Sequence, residues 1–89
     1  MKLKYNFVTN EVADKIVAVA VGEDLSKFNG FIKMNDIGAY IFNMLKKDVT
    51  VDDIVVAMQK DYPNEAEAEI RETVEGFVAK LKEAEVHEE

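Results

Sequence analysis

Side chains suited to acid–base or nucleophilic chemistry are few in this sequence. The single histidine, His87, lies close to the end of the chain, and Ser26 and Thr73 have no histidine partner. A nucleophilic hydroxyl needs an adjacent base, and proton transfer needs titratable groups gathered in a pocket. We therefore expect no catalytic residues and no enzymatic activity.

One segment begins like a calcium-binding loop but does not complete it. Asp48, Thr50 and Asp52 have the right spacing, whereas Asp53 stands where that loop needs glycine and Gln59 where it needs glutamate. The sequence contains no cysteine, which also removes thiolate metal ligands and disulfides. We expect no metal site and no cofactor.

Two further fragments resemble known motifs only in part. Asp24-Leu25-Ser26 contains the residues of an acyl-carrier attachment site in the wrong order, and Gly22 and Gly30 do not form a phosphate-binding loop. A carrier domain or a scaffold without a peptide site stays open as an alternative function.

The composition is that of one small acidic domain. The chain has 89 residues, of which 48% are apolar, and a chain of this length can form a single modest core. We expect one domain that spans residues 1–89. The formal net charge of -7 opposes contact with phosphates, so nucleic acid is not an expected partner.

No segment is long and apolar enough to suggest a membrane protein. The longest apolar run, residues 16–21, is far shorter than a membrane span. The basic residues at the N-terminus are not followed by the apolar stretch of a signal peptide. We expect a cytoplasmic protein that does not contact membranes.

The first part of the chain has the patterns of β-strands. Residues 5–12 and 15–21 are rich in apolar and β-branched side chains, and Ala13-Asp14 separates them as the turn of an antiparallel hairpin. Gly22-Glu23-Asp24 ends the second strand, and residues 25–29 form a connection. Residues 30–34 then alternate as a third strand, which we expect at the edge of the sheet.

Three helices follow, each with a start or stop signal. Asn35 is a good N-cap for a first helix over residues 36–46, and Thr50 with Asp53 forms a variant of the capping box for a second. Pro63 should end that second helix, and Asn64 should cap the third. The predicted architecture is α+β, a three-stranded antiparallel sheet plus three helices of winged-helix type.

The third helix has a broad apolar stripe that contains Val74, Phe77, Val78 and Leu81. For these four residues we expect core packing ahead of ligand contact. Gly38 in the first helix indicates a close approach between helix and sheet, because glycine lowers helix stability by about 1 kcal/mol relative to alanine. The tail, residues 86–89, should fray.

The start of the first helix resembles a family signature. Met34, Asn35, Gly38, Ile41 and Phe42 follow the Leu-Asn-x-x-Gly-x-x-Ile-Trp pattern of the PqqD-like family. Further pieces agree in order along nearly the whole chain: Phe7-Val8, Thr50 with Ile54, Tyr62, and Glu75 with Phe77 and Leu81. The resemblance also implies the α+β fold.

The resemblance implies a peptide-recognition element of pathways that modify ribosomally made peptides. Members of this family hold the leader segment of a precursor peptide as an added strand and present it to a modifying enzyme, in many cases a radical S-adenosylmethionine enzyme. By position, the leader-binding strand would be Gly30, Phe31, Ile32, Lys33 and Met34, and the wall on the third helix would be Arg71, Val74, Glu75 and Val78. Such a protein needs no cofactor, and its exposed strand edge also allows a homodimer.

A winged-helix nucleic-acid-binding domain is a second alternative to this function, beside the carrier or scaffold domain. Its second helix would enter the DNA groove, but Asp52, Asp53 and Asp61 would repel phosphates there. The sequence identifies neither the precursor peptide nor the modifying enzyme, and it does not indicate whether the pathway makes pyrroloquinoline quinone.

Overall fold

The computed structural model describes residues 1–28 and 30–88 of the chain. The elements in order are β1 (Lys2–Leu3), β2 (Phe7–Val12), β3 (Lys15–Ala20), a 3-10 turn (Gly22–Ser26), β4 (Phe31–Met34), α1 (Asp36–Met44), α2 (Val51–Asp61), α3 (Glu67–Glu83) and β5 (His87–Glu88). This order confirms the predicted α+β class with three helices. Asn29 of the predicted connection and Glu89 of the predicted tail lie outside the described residues.

The main sheet is antiparallel and has the strand order β2-β3-β4. Its first hairpin closes through Ala13 and Asp14, and Ala13 adopts a positive φ of 57°. A positive φ at the first loop position is what a tight two-residue hairpin turn requires. The strand order confirms the prediction that the third strand of this sheet, β4, lies at its edge.

Two of the predicted helix starts are confirmed by their hydrogen bonds. The Asn35 side chain accepts a bond from the Gly38 N–H at 2.8 Å at the start of α1. Thr50 accepts from the Asp53 N–H at 3.1 Å, and the Asp53 carboxylate accepts from the Thr50 N–H at 3.0 Å. This pair is a reciprocal capping box that fixes the first turn of α2. Helix α2 ends at Asp61, before the predicted stop at Pro63.

The predicted cap of the third helix is wrong. Helix α3 begins at Glu67 with Ala66 in the N-cap position and with no side-chain cap bond. Asn64 lies instead in a turn after α2, where the Glu65 N–H donates to the Tyr62 carbonyl at 3.1 Å. The turn that Pro63 starts thus delays the next helix beyond the reach of the Asn64 side chain.

The core lies between the inner face of the sheet and the three helices. Phe42 of α1 is fully buried at its centre, and its ring lies edge-on to that of Phe7 with 5.3 Å between centroids. The largest fully buried side chains are Phe42, Ile41, Leu45, Ile54, Leu81, Val55, Val74 and Val86. Val74 and Leu81 therefore fulfil the predicted core role, whereas Phe77 and Val78 are only half-buried.

The C-terminal tail does not fray as predicted. Val86 is fully buried, and its carbonyl accepts a bond from the Lys4 N–H at 2.7 Å. Strand β5 follows and pairs antiparallel with β1, with Leu3 opposite His87. The tail is held in place by the pairing of β5 with β1 and by the buried side chain of Val86.

Candidate functional site

The edge of the main sheet is formed by β4, whose strand partner among residues 1–28 and 30–88 is β3 alone. One hydrogen bond shows which main-chain groups of β4 point to the free edge. In the neighbouring β2–β3 hairpin, the Val21 N–H donates to the Asn6 carbonyl at 3.0 Å. Hydrogen-bonded and non-hydrogen-bonded pairs alternate along an antiparallel ladder. The odd-numbered residues of β3 therefore bond to β2, and the even-numbered ones bond to β4.

This alternation leaves half of the β4 main chain without a partner strand. Ile32 and Met34 lie opposite even-numbered residues of β3 and bond to them. The N–H and C=O groups of Phe31 and Lys33 consequently point to the free edge. Such groups form a ready template for another strand.

A groove of about 1250 Å³ lies between this edge and α3. On the sheet side it is lined by Ile32, Lys33 and Met34, and the first turn of α1 contributes Ile37 and Gly38. The face of α3 that lines it contains Glu69, Ile70, Glu72, Thr73, Gly76, Phe77, Lys80 and Leu81. The groove is therefore open to an extended chain along one strand and one helix.

Two glycines shape this groove in different ways. A Cβ atom at Gly38 would lie 2.9 Å from Cε1 of Phe77 and 3.1 Å from Cβ of Met34. The predicted close approach at Gly38 is therefore confirmed, and the neighbours are a strand residue and an α3 side chain. Gly76 has no atom within 4 Å of an added Cβ, so the space above it is open.

The predicted strand residues lie at this edge, but not all of them line the groove. Ile32, Lys33 and Met34 do, whereas Gly30 and Phe31 do not. The Phe31 side chain is 59% exposed and is directed to the opposite face of the sheet from Met34. Phe31 can contribute its main chain to an added strand, but its side chain points away from the helices.

The predicted helical wall lies on other faces of α3. Arg71, Val74, Glu75 and Val78 are not among the groove-lining residues. Val74 is fully buried in the core, Val78 is half-buried against it, and Glu75 is exposed. The groove-lining stripe on the same helix includes Gly76, Phe77 and Lys80, which are not among the site residues predicted from the sequence.

Arg71 is occupied by an ion-pair network on the side of α2. Its guanidinium donates to Asp52 at 2.7 Å and to Glu67 at 3.3 Å. These two hydrogen bonds raise the pKa of Arg71. The bond to Asp52 links α3 to the start of α2.

One signal in the sequence points to the groove face of α3. A glycine inside a helix lowers its stability by about 1 kcal/mol relative to alanine, and Gly76 lies in the middle of α3. In the folded chain nothing lies within 4 Å of a Cβ added at Gly76, so this glycine leaves open space on the groove face.

Charged residues of both signs line the groove. Within the part of the chain that the structure describes, the ion pairs involve other residues. The charged residues that line the groove are Glu65, Glu69, Glu72, Lys15, Lys33 and Lys80.

The chemistry that this site offers is recognition by hydrogen bonding and packing. No cluster of His, Asp or Glu side chains with metal-ligand geometry occurs among the described residues. No helix in those residues is both long and apolar enough to cross a bilayer. The groove combines an unpaired strand edge, an apolar floor and charged rims, which is the arrangement that accepts an extended peptide.

A protein family and a solved structure are similar to this chain. The family model described as "Coenzyme PQQ synthesis protein D (PqqD)" matches residues 8–86. The chain is also similar in structure to a protein described as "TbiB1 in Complex with the TbiA(beta) Leader Peptide", with a TM-score of 0.73 and 17% sequence identity. That match covers 97% of this chain and 93% of the other. At this identity the similarity shows a common fold, and no curated protein matches the sequence significantly.

Proposed function

Because the chain belongs to the PqqD family and the edge of β4 is open, we propose that it binds the leader segment of a ribosomally made precursor peptide. The observation that carries the proposal is the coincidence of an unpaired strand edge with a groove of about 1250 Å³ beside it. The related fold of TbiB1, described in complex with a leader peptide, supports the same use.

The mechanism is strand addition to β4. The main-chain groups of Phe31 and Lys33 bond to the leader, and alternate leader side chains enter the groove beside Ile32 and Met34. This retains the strand residues 30–34 of the sequence prediction. On the helix the contacts shift from the predicted wall to Gly76 and its neighbours along the same stripe.

The protein acts as an adaptor without a catalytic step of its own. Holding the leader raises the effective concentration of the precursor beside the modifying enzyme. We assign that enzyme to the radical S-adenosylmethionine type, in line with the family resemblance. No cofactor is needed for this role, because main-chain hydrogen bonds and side-chain packing carry the recognition.

The test is a titration of isotope-labelled protein with the synthetic leader of the precursor encoded beside its gene. We expect saturable amide shifts in β4 and in the groove-lining stripe of α3, with smaller shifts at the outer edge strand β2. Shifts spread evenly over the surface, or confined to the α2 side of α3, would contradict binding in the groove.

Two substitutions at Lys33 make the test specific for strand addition. Lys33→Pro removes an N–H that points to the free edge and does not bond to β3, and proline is tolerated at such edge positions. Lys33→Ala removes the same side chain but keeps the N–H. Since an unsatisfied hydrogen-bonding group costs about 1–3 kcal/mol, we expect Lys33→Pro to weaken leader binding about tenfold or more relative to Lys33→Ala. Equal affinities would rule out a hydrogen bond at this position.

A further inference from the structure

The charged residues of α3 lie on more than one side of the helix, and within the described part of the chain those on the groove side are unpaired. Arg71, Glu67 and Asp52 form an ion-pair network on the α2 side. On the groove side, Glu72 and Lys80 take part in no ion pair among residues 1–28 and 30–88. The groove therefore presents charges that remain available to a ligand.

These groove charges are ordered along the helix. Glu65 lines the groove just before α3, Glu69 and Glu72 line it in the first two turns of the helix, and Lys80 lines it toward the end. Gly76 lies midway between Glu72 and Lys80. Along α3, the wall of the groove is thus acidic at Glu72, open at Gly76 and basic at Lys80.

The spacing of this stripe matches that of an extended peptide. Residues four apart on a helix are separated by about 6 Å along its axis, and side chains on one face of a strand recur every two residues, about 6.7 Å apart. Glu72, Gly76 and Lys80 therefore face three successive same-face positions of a strand that runs along the helix.

The middle position has room for a large side chain. A Cβ at Gly76 would meet no atom within 4 Å, and the adjoining Phe77 ring forms an apolar side of the gap. A bulky apolar side chain fills such a gap better than a small or polar one, because it removes apolar surface from water.

On the premise of the proposed function, we propose that the groove selects a leader segment with a basic, a bulky apolar and an acidic side chain at alternating positions. The basic residue lies beside Glu72, the bulky residue over Gly76, and the acidic residue beside Lys80. The leader can lie parallel or antiparallel to β4. Its direction decides whether this order runs from the N-terminus to the C-terminus of the leader or the reverse.

Synthetic peptides test this directly, and the protein contains no tryptophan that would interfere. A host peptide carries Lys-x-Trp-x-Glu, Glu-x-Trp-x-Lys or Gln-x-Trp-x-Gln at its centre, and tryptophan emission reports binding. We expect one charged order to bind about fivefold tighter than the neutral peptide, with the advantage lost at high salt. Replacing the central Trp by Ala, monitored by competition, should weaken binding further.

Charge substitutions in the protein test whether Glu72 and Lys80 cause the preference for one order of peptide charges. The double substitution Glu72→Lys with Lys80→Glu keeps the net charge and should reverse the preference between the two charged orders. The control Lys82→Glu with Glu83→Lys alters charges on α3 that do not line the groove, and it should leave the preference intact. Equal binding of charged and neutral peptides to the unaltered protein would overturn the proposal.

The two proposals can fail separately. If the natural leader shifts the β4 amides but none of the designed peptides binds, the inferred pattern is wrong and leader binding stands. If neither the leader nor any peptide binds, the proposed function itself is wrong.

Discussion

Gly38 and Gly76 offer a matched pair of substitutions with opposite expected effects on stability. Both lie inside helices, so replacement by alanine gains about 1 kcal/mol of helix propensity at each site. At Gly76 an added Cβ meets no atom within 4 Å. We therefore expect Gly76→Ala to raise the free energy of unfolding by about 1 kcal/mol.

At Gly38 the same methyl group has no room. It would lie 2.9 Å from Cε1 of Phe77, 3.1 Å from Cβ of Met34 and 3.4 Å from the Asn35 side-chain oxygen that caps α1. Overpacking typically costs about 1–3 kcal/mol, which exceeds the propensity gain. We expect Gly38→Ala to lower the free energy of unfolding by about 1 kcal/mol net.

Urea denaturation of the two variants and the unaltered protein, followed by far-UV circular dichroism, measures both effects. The difference between the variants isolates the steric cost, because the propensity gain cancels. An equal stabilisation by both substitutions would refute the close approach of Phe77 and Met34 to α1.

Three further predictions test other parts of the structure. Val86→Ala should lower the free energy of unfolding by about 2 kcal/mol in urea denaturation, because the side chain is fully buried; a loss near zero would indicate a frayed tail. Thr50→Ala should cost about 1 kcal/mol and Thr50→Ser much less, since only alanine removes the acceptor for the Asp53 N–H. Burial, followed by the 2.6 Å hydrogen bond from the Tyr40 hydroxyl to Asp61, raises the pKa of Tyr40 to about 12. The neutral phenol is thus favoured by folding, so its contribution to stability is complete below pH of about 10 and is lost as the pH rises toward the folded value. Difference titration of ultraviolet absorbance against Tyr40→Phe should show this pKa, and Asp61→Asn should lower it.

The parts of the fold that the sequence predicts correctly are those with local causes. The N-cap at Asn35 and the capping box at Thr50 depend on residues within one helical turn, so a short segment is enough to identify them. The edge position of β4 follows from a hairpin that leaves one side of β3 for the next strand. The core role of Val74 and Leu81 follows from helical periodicity.

Long-range contacts decide the features of the structure that the sequence could not predict. The apolar stripe of α3 is broad, and its spacing alone does not indicate which flank meets the groove. That rotation is set by tertiary contacts, among them the burial of Val74 and Leu81 in the core and the Phe77 ring against Gly38. The pairing of β1 with β5 joins the two ends of the described chain through strands of two residues each, which have no local signal.

Gly76 connects the stability of α3 with the proposed selectivity of its groove. Leucine is a better helix former than glycine, and the position is exposed with free space above it, so Gly76→Leu should not destabilise the fold. The same side chain would occupy the gap that we assign to the bulky leader residue. We therefore expect Gly76→Leu to unfold at equal or higher urea concentration while binding the tryptophan-centred peptide at least about fivefold more weakly, because burial of the indole is lost. An Ala-centred peptide should lose much less affinity, since it never filled the gap. If the leucine variant bound the tryptophan peptide as well as the unaltered protein does, the gap over Gly76 would have no part in recognition. The presence of glycine at position 76 would then need an explanation that does not involve a ligand.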